Sequence, residues 1–403
     1  MSLTVNSWIC SKYKPHFRYK IERIIGEGTY GQVYQVCDSA NKRYALKKFK
    51  DLSNEPHETT ISECYSLQAL NHPNIIRPLD IAIENVSCLL LLDLMDGDLG
   101  KLIKKKLLQQ KAQFAKKCIV KSEQIVQSKP VGLCRRIVKS IIRQLLEAMV
   151  YMQERHIFHR DIKPQNILYK IITKETDIAT SYDDSDMDIT VQFADLGLAK
   201  TFAPTVKAEA DYGHHVQTMW YRSPEILLSA KTYQPAIDMW SIGCVMVECA
   251  TGRPLFPGDC AFDQIRLIFQ LLGTPSIKDW PGYNSTHLKH YNQLFPHWTC
   301  NHSLIHDMCH SLIGDDGINL LMRMLTYDPW KRITPVEALK HPWFLENQTL
   351  SKLTVQEEEK KQQSINLNQV NSNINNNDNC TKQHETRKND VSLNDIIVYM
   401  EDI

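Results

Sequence analysis

The stretch HRDIKPQN, His159–Asn166, decides the fold prediction because it combines a carboxylate, an ammonium group and an amide within one short segment. It follows IVKSIIRQLLEAMVYMQ, a run with helical periodicity. Asp161 could orient a hydroxyl group and accept its proton, Lys163 could hold a phosphate, and Asn166 could bind a metal ion. Chance is a poor explanation for these three groups at this spacing.

Two further segments supply groups of the same kind. Asp195, in FADLGLAK, could chelate a magnesium ion that bridges nucleotide phosphates, and Leu196 follows it as an apolar plug. Lys47, in YALKKF, stands in an apolar strand context where an unpaired ammonium group is costly. We expect it to pair with phosphates and with Glu63, from the helical run ETTISECYSLQAL. An outward-pointing lysine on an edge strand is the alternative.

The segment GEGTYGQV, Gly26–Val33, matches the pattern G-x-G-x-x-G-x-V between two strand-like runs. Glycines let backbone N–H groups approach phosphate oxygens closely. A dinucleotide-binding fold requires a helix directly after the third glycine, whereas here Tyr34 and Val36 continue a strand alternation. The pattern favours a hairpin that covers phosphates, with an ordinary hairpin as the alternative.

The composition is that of a soluble globular protein, with 43% apolar and 23% charged residues in 403. The net charge of +1 gives no argument for nucleic acid, so direct nucleic-acid binding is not expected. Twelve scattered cysteines without a CxxC pair fit reduced thiols. The apolar run CLLLLDLM is too short to span a bilayer, and the start lacks a signal-peptide core. We expect a nuclear or cytoplasmic protein without a membrane partner.

The pattern along the chain predicts an α+β protein with a small β-rich lobe that carries one main helix and a larger, mostly helical lobe. The run EEEKKQQ and the asparagine-rich segment after it lack the apolar content to fold alone. The predicted boundaries are an irregular extension at 1–18, the small lobe at about 19–95, the large lobe at about 96–347, insertions at about 101–127 and 171–190, and a disordered tail at 348–403.

The glycine loop, the lysine, the HRD-N segment and the D-x-G segment occur in a fixed order and are followed by SPE, Ser223–Glu225. With this order the chain resembles a eukaryotic protein kinase over residues 19–347. The resemblance implies the two-lobed protein kinase fold and the cofactors ATP and Mg²⁺, with the metal on Asn166 and Asp195. It also implies that Glu225 pairs with Arg332 and that Asp238 braces the HRD segment.

The resemblance further implies where the nucleotide lies. Leu92 is expected to be the gatekeeper, the Asp93 carbonyl and the Met95 backbone to meet adenine, and Asp98 to reach the ribose. The full expected nucleotide-binding set is Ile25, Gly26, Glu27, Gly28, Gly31, Val33, Ala45, Lys47, Leu92, Asp93, Met95, Asp98, Gln165, Asn166, Leu168 and Asp195.

Lys163 together with Thr218 resembles the serine/threonine-specific pattern, in which both side chains position the substrate hydroxyl. WYRSPE and GTPSIKDWPG are similar to the branch with cyclin-dependent and MAP kinases, which often selects proline after the target residue. GEGTYGQVY, HPNII and DMWSIGCVMVE resemble cyclin-dependent kinases. LLLLDLMDGDL and SKPVGLCRRIVKS are similar to their Mediator-associated, cyclin C-dependent subfamily. Thr29 and Tyr30 match positions of inhibitory phosphorylation, with packing at the hairpin tip as the alternative.

The activation loop departs from the family pattern. Cyclin-dependent kinases place a phosphorylated threonine five residues before Thr218, where this chain has Gly213. Three arginines clamp that phosphate in the family. Their positions here hold Ser62, Lys200 and Arg160. We expect no activation by a phosphothreonine, and an acidic group such as Asp211 or one from a partner would meet Arg160 instead. Tyr212 is a weaker candidate acceptor.

The expected partners are protein substrates and a cyclin-like activating subunit, with a role in transcription or cell-cycle control. The segment that reads PSTAIRE in the family reads HETTISE here, so the partner cannot be identified from it. Eight lysines in 101–121 form either a solvated helix face or a site for nuclear import, an acidic partner or nucleic acid. The alternatives for the whole chain are a MAP-kinase-like enzyme that needs no cyclin and a scaffold pseudokinase.

Overall fold

The computed structural model divides the chain into two units, Met1–Leu345 and Glu346–Ile403. All described residues belong to the first unit, so the predicted disordered tail lies outside the described part of the chain. The described residues are 8–10, 18–28, 31–49, 67, 70–84, 87–120, 132–172, 188–196, 200–201, 219–228, 234–281 and 295–345.

The small lobe is a six-stranded sheet in which every neighbouring pair is antiparallel, in the order β1-β2-β3-β4-β6-β5. Short turns join most of its strands, which is why an antiparallel arrangement results. The strands are β1 Trp8–Cys10, β2 Arg18–Gly28, β3 Gly31–Cys37, β4 Arg43–Phe49, β5 Pro78–Glu84 and β6 Ser87–Asp93.

The apolar run of β6 is buried on both faces of the sheet. Leu89 and Leu91 belong to a small core with residues of β2, β3 and β4, while Leu90 and Leu92 point to the main core. Successive side chains of a strand alternate between faces, so a continuous leucine run marks a strand that is covered on both sides.

The lead-in before residue 19 is not wholly irregular, and that part of the sequence prediction is wrong. Trp8–Cys10 forms β1, in which Ile9 pairs with Tyr19 of β2, and β2 begins at Arg18. Trp8–Cys10 forms a strand because its backbone pairs with β2 at the edge of the sheet, and a local pattern does not show such a long-range pairing.

The large lobe is mostly helical, and two of its helices form the centre of the core. The helix over Arg135–Glu154 buries one stripe of residues at helical spacing, and the helix over Ala236–Thr251 is buried on every side from Ile237 to Ala250. Among the described residues of this lobe, the helices are α1 Leu99–Val120, α2 Arg135–Glu154, α3 Pro224–Leu227, α4 Ala236–Thr251, α5 Ala261–Leu272, α6 His302–Met324 and α7 Pro335–Leu339.

Two small sheets lie beside these helices. One has the strands β7 Gly97–Asp98, β9 Ile167–Ile172 and β10 Asp188–Phe193, and the other pairs β8 Ile157–Phe158 with β11 Lys200–Thr201. The two ends of the predicted insertion at 171–190 are paired strands that extend the β9–β10 ladder. The intervening segment lies outside the described residues.

The lysine-rich segment is helical as far as Val120, within α1. Lys101, Lys104 and Lys105 are exposed, which agrees with a solvated helix face. Among the described residues, no helix combines the length and the apolar character that crossing a bilayer requires.

A buried ion pair joins α3 to the end of the large lobe. Arg332 donates to both carboxylate oxygens of Glu225 at 2.7 and 3.1 Å, and their side chains are 0% and 2% exposed. Arg332 also donates to the backbone carbonyls of Ala236, Thr326 and Tyr327. The predicted pairing is confirmed, and every nitrogen of the Arg332 guanidinium donates hydrogen bonds to an acceptor.

Removal of Glu225 should therefore destabilise the chain strongly. We expect Glu225→Ala to lower the free energy of unfolding by about 3–5 kcal/mol, because it leaves the Arg332 charge buried and uncompensated. Urea denaturation measures this loss. The matched control is Asp263→Ala, since the Asp263–Arg266 pair at 2.7 Å is solvated and worth about 1 kcal/mol or less. Equal losses in the two variants would contradict the assignment.

Candidate active site

The HRD segment lies between β8 and β9, in a loop shaped by a short 3₁₀ turn, Pro164–Asn166. The Asn166 amide nitrogen donates to the backbone carbonyl of Asp161 and to its carboxylate, both at 2.9 Å. The Lys163 ammonium lies 2.7 Å from the same carboxylate oxygen. The structure thus brings together the three side chains that the sequence singled out, with Asp161 at the centre.

Asp238, near the start of α4, holds this loop from below. Its buried carboxylate accepts the backbone N–H of His159 at 2.7 Å and that of Arg160 at 2.9 Å. Burial raises the pKa of Asp238, and the charges of His159 and Arg160 and the two N–H donors oppose that shift. Both oxygens act as acceptors, which the ionised carboxylate provides.

The backbone of the loop is strained at Arg160, whose N–H group donates to Asp238. Arg160 has φ of 70°, in the left-handed region that a residue with a Cβ rarely adopts. Such a conformation costs about 1–3 kcal/mol and persists where surrounding bonds determine it. The two hydrogen bonds that Asp238 accepts from His159 and Arg160 fix this conformation directly before Asp161.

The D-x-G segment meets the loop through His159. The Nε2 atom of His159 lies 3.1 Å from the Ala194 carbonyl oxygen, and its ring contacts Phe193 with centroids 5.2 Å apart. Asp195 has φ of 61°, and Leu196 after it is fully buried. Leu196 therefore acts as the apolar plug that the sequence predicted, and Asp195 is turned away from it toward the cleft.

Lys47 connects the small lobe to this segment. It lies in β4, between Val33 of β3 and Leu90 of β6, and its ammonium group is 3.3 Å from the Asp195 carboxylate. The two side chains are 13% and 32% exposed, so the pair borders the solvent-accessible cleft. The expected contact of Lys47 with Glu63 lies outside the described residues.

The glycine-rich segment forms the predicted hairpin between β2 and β3, with Gly28 opposite Gly31. The backbone of Gly31 packs directly on β4, since a Cβ there would lie 2.2 Å from the Lys48 carbonyl oxygen. Gly26 has ordinary space, with the nearest atom, Val33 Cβ, 3.7 Å from such a Cβ. The two glycines therefore serve different purposes, and Gly31 is required by packing.

The residues expected to contact the base are apolar and lie at one edge of the main core. Ala45 and Leu92 are buried and lie opposite each other on neighbouring strands. The partly buried members of this apolar set are Ile25, Val33, Met95 and Leu168. Together they form a surface that suits a flat, weakly polar ring.

Polar groups border this surface where β6 ends and α1 begins. Asp93 is exposed at the end of β6. Asp98 accepts the N–H of Lys101 at 2.9 Å, and Gly100 leaves a small space between Asp98 and Gln165. A Cβ on Gly100 would lie within 3.4 Å of both side chains. This arrangement leaves polar groups beside the apolar surface, where a sugar would need them.

Comparison with known proteins agrees with this geometry. The protein kinase domain model matches residues 19–344. Cyclin-dependent kinase 2 of Caenorhabditis elegans is 35% identical, over 81% of this chain and 77% of its own. Two Trypanosoma brucei brucei proteins, cell division control protein 2 homologs 3 and 2, are each 37% identical, over 81% of this chain and 92% and 82% of their own. The chain belongs to the cyclin-dependent kinase family of protein kinases. It is a serine/threonine protein kinase with the two-lobed α+β fold that the sequence predicted.

Several expected site residues of the kinase lie outside the described part of the chain. They are Glu63, Thr218, the hairpin-tip residues Thr29 and Tyr30, and the activation-loop residues Asp211, Tyr212 and Gly213. Glu27 lies in β2 and is described, but its expected contact with the nucleotide remains a prediction. Lys200 is described in its backbone, which pairs with Phe158.

The segment after the activation loop is anchored to the large lobe of the kinase. Tyr221 donates to Glu248 at 2.6 Å, and burial raises the pKa of both groups. Ser241 donates to the Tyr221 carbonyl at 2.8 Å, and Trp220 donates to the Gly258 carbonyl at 3.0 Å. These contacts fix Trp220 and Tyr221 against the large lobe.

One positioning residue was not identified from the sequence. The Asn74 side chain donates to Gln144 of α2 and to the Val191 carbonyl of β10. The backbone carbonyl of Asn74 accepts the backbone N–H of Phe193. Asn74 thereby ties the small lobe to β10, the strand that ends two residues before Asp195. The motif HPNII contained the signal, because a polar residue before two buried isoleucines needs hydrogen-bond partners.

Substitution of Gly31 should damage the kinase where substitution of Gly26 does not. We expect Gly31→Ala to lower stability by about 1–3 kcal/mol, because its Cβ clashes with the β4 backbone. The Cβ of Gly26→Ala meets no such contact, so this variant should unfold at the same temperature as the wild type. Thermal unfolding of the two variants measures the difference, and a Gly31→Ala variant as stable as the wild type would contradict it.

Asp238→Asn should separate positioning from nucleotide binding. An asparagine accepts with one oxygen and turns a donor toward the second N–H, so the loop loses one bond and moves. We expect kcat to fall about 10²-fold with little change in KM for ATP. Steady-state kinetics measure both. Asp279→Asn is the control, because Asp279 also accepts a backbone N–H, that of Ser276, in an exposed turn. A matching rise in KM would argue for general misfolding instead.

Proposed function

We propose that this kinase transfers the γ-phosphoryl group of Mg-ATP to serine or threonine before proline in protein segments, and that a cyclin-like partner activates it without a loop phosphothreonine. The contact of Lys163 and Asn166 with one Asp161 carboxylate carries the catalytic part of the proposal. The resemblance supports the proline preference, and the name of the related cyclin-dependent kinase 2 supports the cyclin partner. From the resemblance we also propose nuclear or cytoplasmic action in transcription or cell-cycle control.

The residues present fit a nucleotide with a magnesium ion. The Asn166 amide nitrogen is used by Asp161, which leaves the amide oxygen as a ligand, and Asp195 offers carboxylate oxygens. Magnesium prefers such oxygen ligands. When bound, ATP would supply the phosphoryl group, and the magnesium ion would neutralise part of the negative charge of that group. Lys47, which in this structure pairs with Asp195, is placed to hold phosphates.

The reaction asks little covalent chemistry of the protein. Asp161 would orient the substrate hydroxyl and accept its proton, while Lys163 would neutralise charge on the transferred group. Asp238 and Asn166 keep the Asp161 carboxylate at one position through the backbone and side-chain bonds described above. The rate gain then comes mainly from positioning and from charge stabilisation.

Three sequence positions support the proposal that no phosphothreonine activates the loop. Gly213 stands at the acceptor position, and Ser62 and Lys200 stand where the family has arginines. Arg160 is the arginine that stays, and it is buried beside a recess lined in part by Tyr221 and Arg222. A buried guanidinium binds carboxylates well, because its planar donors match the two carboxylate oxygens. We propose that an acidic group of the loop or of the partner fills this role.

Two other functions predict different behaviour. A MAP-kinase-like enzyme would be active without a cyclin. A scaffold pseudokinase would bind the partner without catalysis, which the intact set of Asp161, Lys163, Asn166 and Asp195 argues against.

The test is phosphoryl transfer to a Ser-Pro peptide by the phosphatase-treated kinase, alone and with a purified cyclin C-type protein. We expect activity with the partner only, unchanged by phosphatase, and a loss of about 10²–10⁴-fold in Asp161→Asn. A peptide array should show no strong requirement for a basic residue three places beyond the target.

Each other outcome is informative. Equal activity without the partner would support the MAP-kinase-like alternative. Loss of activity on phosphatase treatment would overturn phosphorylation-independent activation. Inactivity in both mixtures, with Mg-ATP bound, would favour the scaffold.

A further inference from the structure

The helix α6 carries three histidines at intervals of four residues: His302, His306 and His310. Residues four apart lie on the same face of a helix, one turn above each other. The imidazole rings of His306 and His310 are stacked, with centroids 4.3 Å apart and planes inclined by 17°. Two imidazoles that share a face in this way are a common starting point for metal ligation.

An acidic side chain reaches the same face because the helix breaks. Asp315 lies nine residues after His306, which in a continuous helix is two and a half turns and places it on the opposite side. Gly314 interrupts the helix with φ of 73° and ψ of 176°. As a result, an Asp315 carboxylate oxygen lies 3.8 Å from His306 Nε2 and 3.6 Å from His310 Nε2.

The core fixes this break. Arg135 donates to the Leu312 carbonyl at 3.1 Å, and the buried Trp343 donates to the Ile313 carbonyl at 2.9 Å. These bonds satisfy two carbonyls at the end of the first half of α6, which would otherwise lack partners. The backbone at the break is therefore held by one buried side chain, Trp343, and one exposed side chain, Arg135.

The three ligand atoms suit a small divalent cation. They all lie within 4.8 Å of one another. Zinc bonds of about 2.0–2.1 Å in a tetrahedron require ligand atoms about 3.3 Å apart, so an inward movement of less than about 1.5 Å per contact is enough. The side chains of His306, His310 and Asp315 are 53%, 47% and 82% exposed, which leaves them free to rotate.

We propose that His306, His310 and Asp315 form a surface zinc site of this kinase, with a fourth position open to water. Two imidazole nitrogens and one carboxylate oxygen are a donor set for zinc and the late transition metals, whereas magnesium and calcium require oxygen ligands. The three residues are separate from those expected to bind Mg-ATP. The proposal therefore stands independently of the kinase mechanism.

Titration calorimetry of the full chain with zinc chloride, after treatment with a chelator, tests the proposal. We expect one equivalent of zinc to bind in the presence of excess magnesium. His306→Ala, His310→Ala and Asp315→Asn should each weaken binding at least tenfold. The control His302→Ala removes a histidine one turn away that is not part of the cluster, and it should bind as the wild type does. Circular dichroism should be unchanged in all four variants.

The cysteines are the competing explanation, since thiolates also bind zinc and Cys260 is exposed. Cobalt distinguishes the two, because cysteine ligation produces a strong near-ultraviolet charge-transfer band and histidine ligation does not. No bound zinc, a cobalt complex with that band, or wild-type zinc affinity in the three cluster variants would overturn the proposal. So would a loss in His302→Ala equal to that in His310→Ala.

Discussion

The site depends on the two hydrogen bonds that Asp238 accepts from the backbone of His159 and Arg160. A left-handed conformation at Arg160 is unfavourable by itself, and it persists because the buried carboxylate of Asp238 accepts the N–H groups of His159 and Arg160. The bend at Arg160 points Asp161 outward while its neighbour Ile162 stays in the core. The catalytic arrangement is thus anchored in α4, a helix buried on nearly all sides, and that rigidity makes precise positioning possible.

From this anchor a chain of contacts extends to the small lobe. His159 binds the Ala194 carbonyl, Asn166 accepts the N–H of Ala194 at its backbone carbonyl, and Asp195 follows with its carboxylate toward Lys47. Asn74 adds a second tie, from the small lobe to β10. Each contact uses a backbone group or a charged pair that would be costly to leave unsatisfied. The lobes therefore meet at the residues that would hold the phosphates. The position of Lys47 in the small lobe consequently depends on the position of Asp195, and the reverse is also true.

The sequence predicted much of this arrangement because its motifs are local. HRDIKPQN, FADLGLAK and YALKKF each carry their functional group within a few residues of the apolar positions that fix it, so the strands and the loop could be placed before the structure was known. The sequence did not reveal the strands that depend on long-range pairing. Trp8–Cys10 forms a strand because β2 offers an edge, and the ends of the 171–190 segment are strands because β9 and β10 extend each other. Neither partner is visible in the local pattern.

By itself, the sequence determined the kinase class, and it predicts the catalytic groups and the lack of a threonine acceptor in the activation loop, because these depend on which residue stands at which position of a motif. Tertiary structure alone decided how those groups are held. The strain at Arg160, the tie through Asn74 and the role of Gly31 against β4 join residues far apart in the chain. The cluster of His306, His310 and Asp315 is the clearest case, since its spacing would separate the ligands in an unbroken helix. A core-fixed break at Gly314 brings them together.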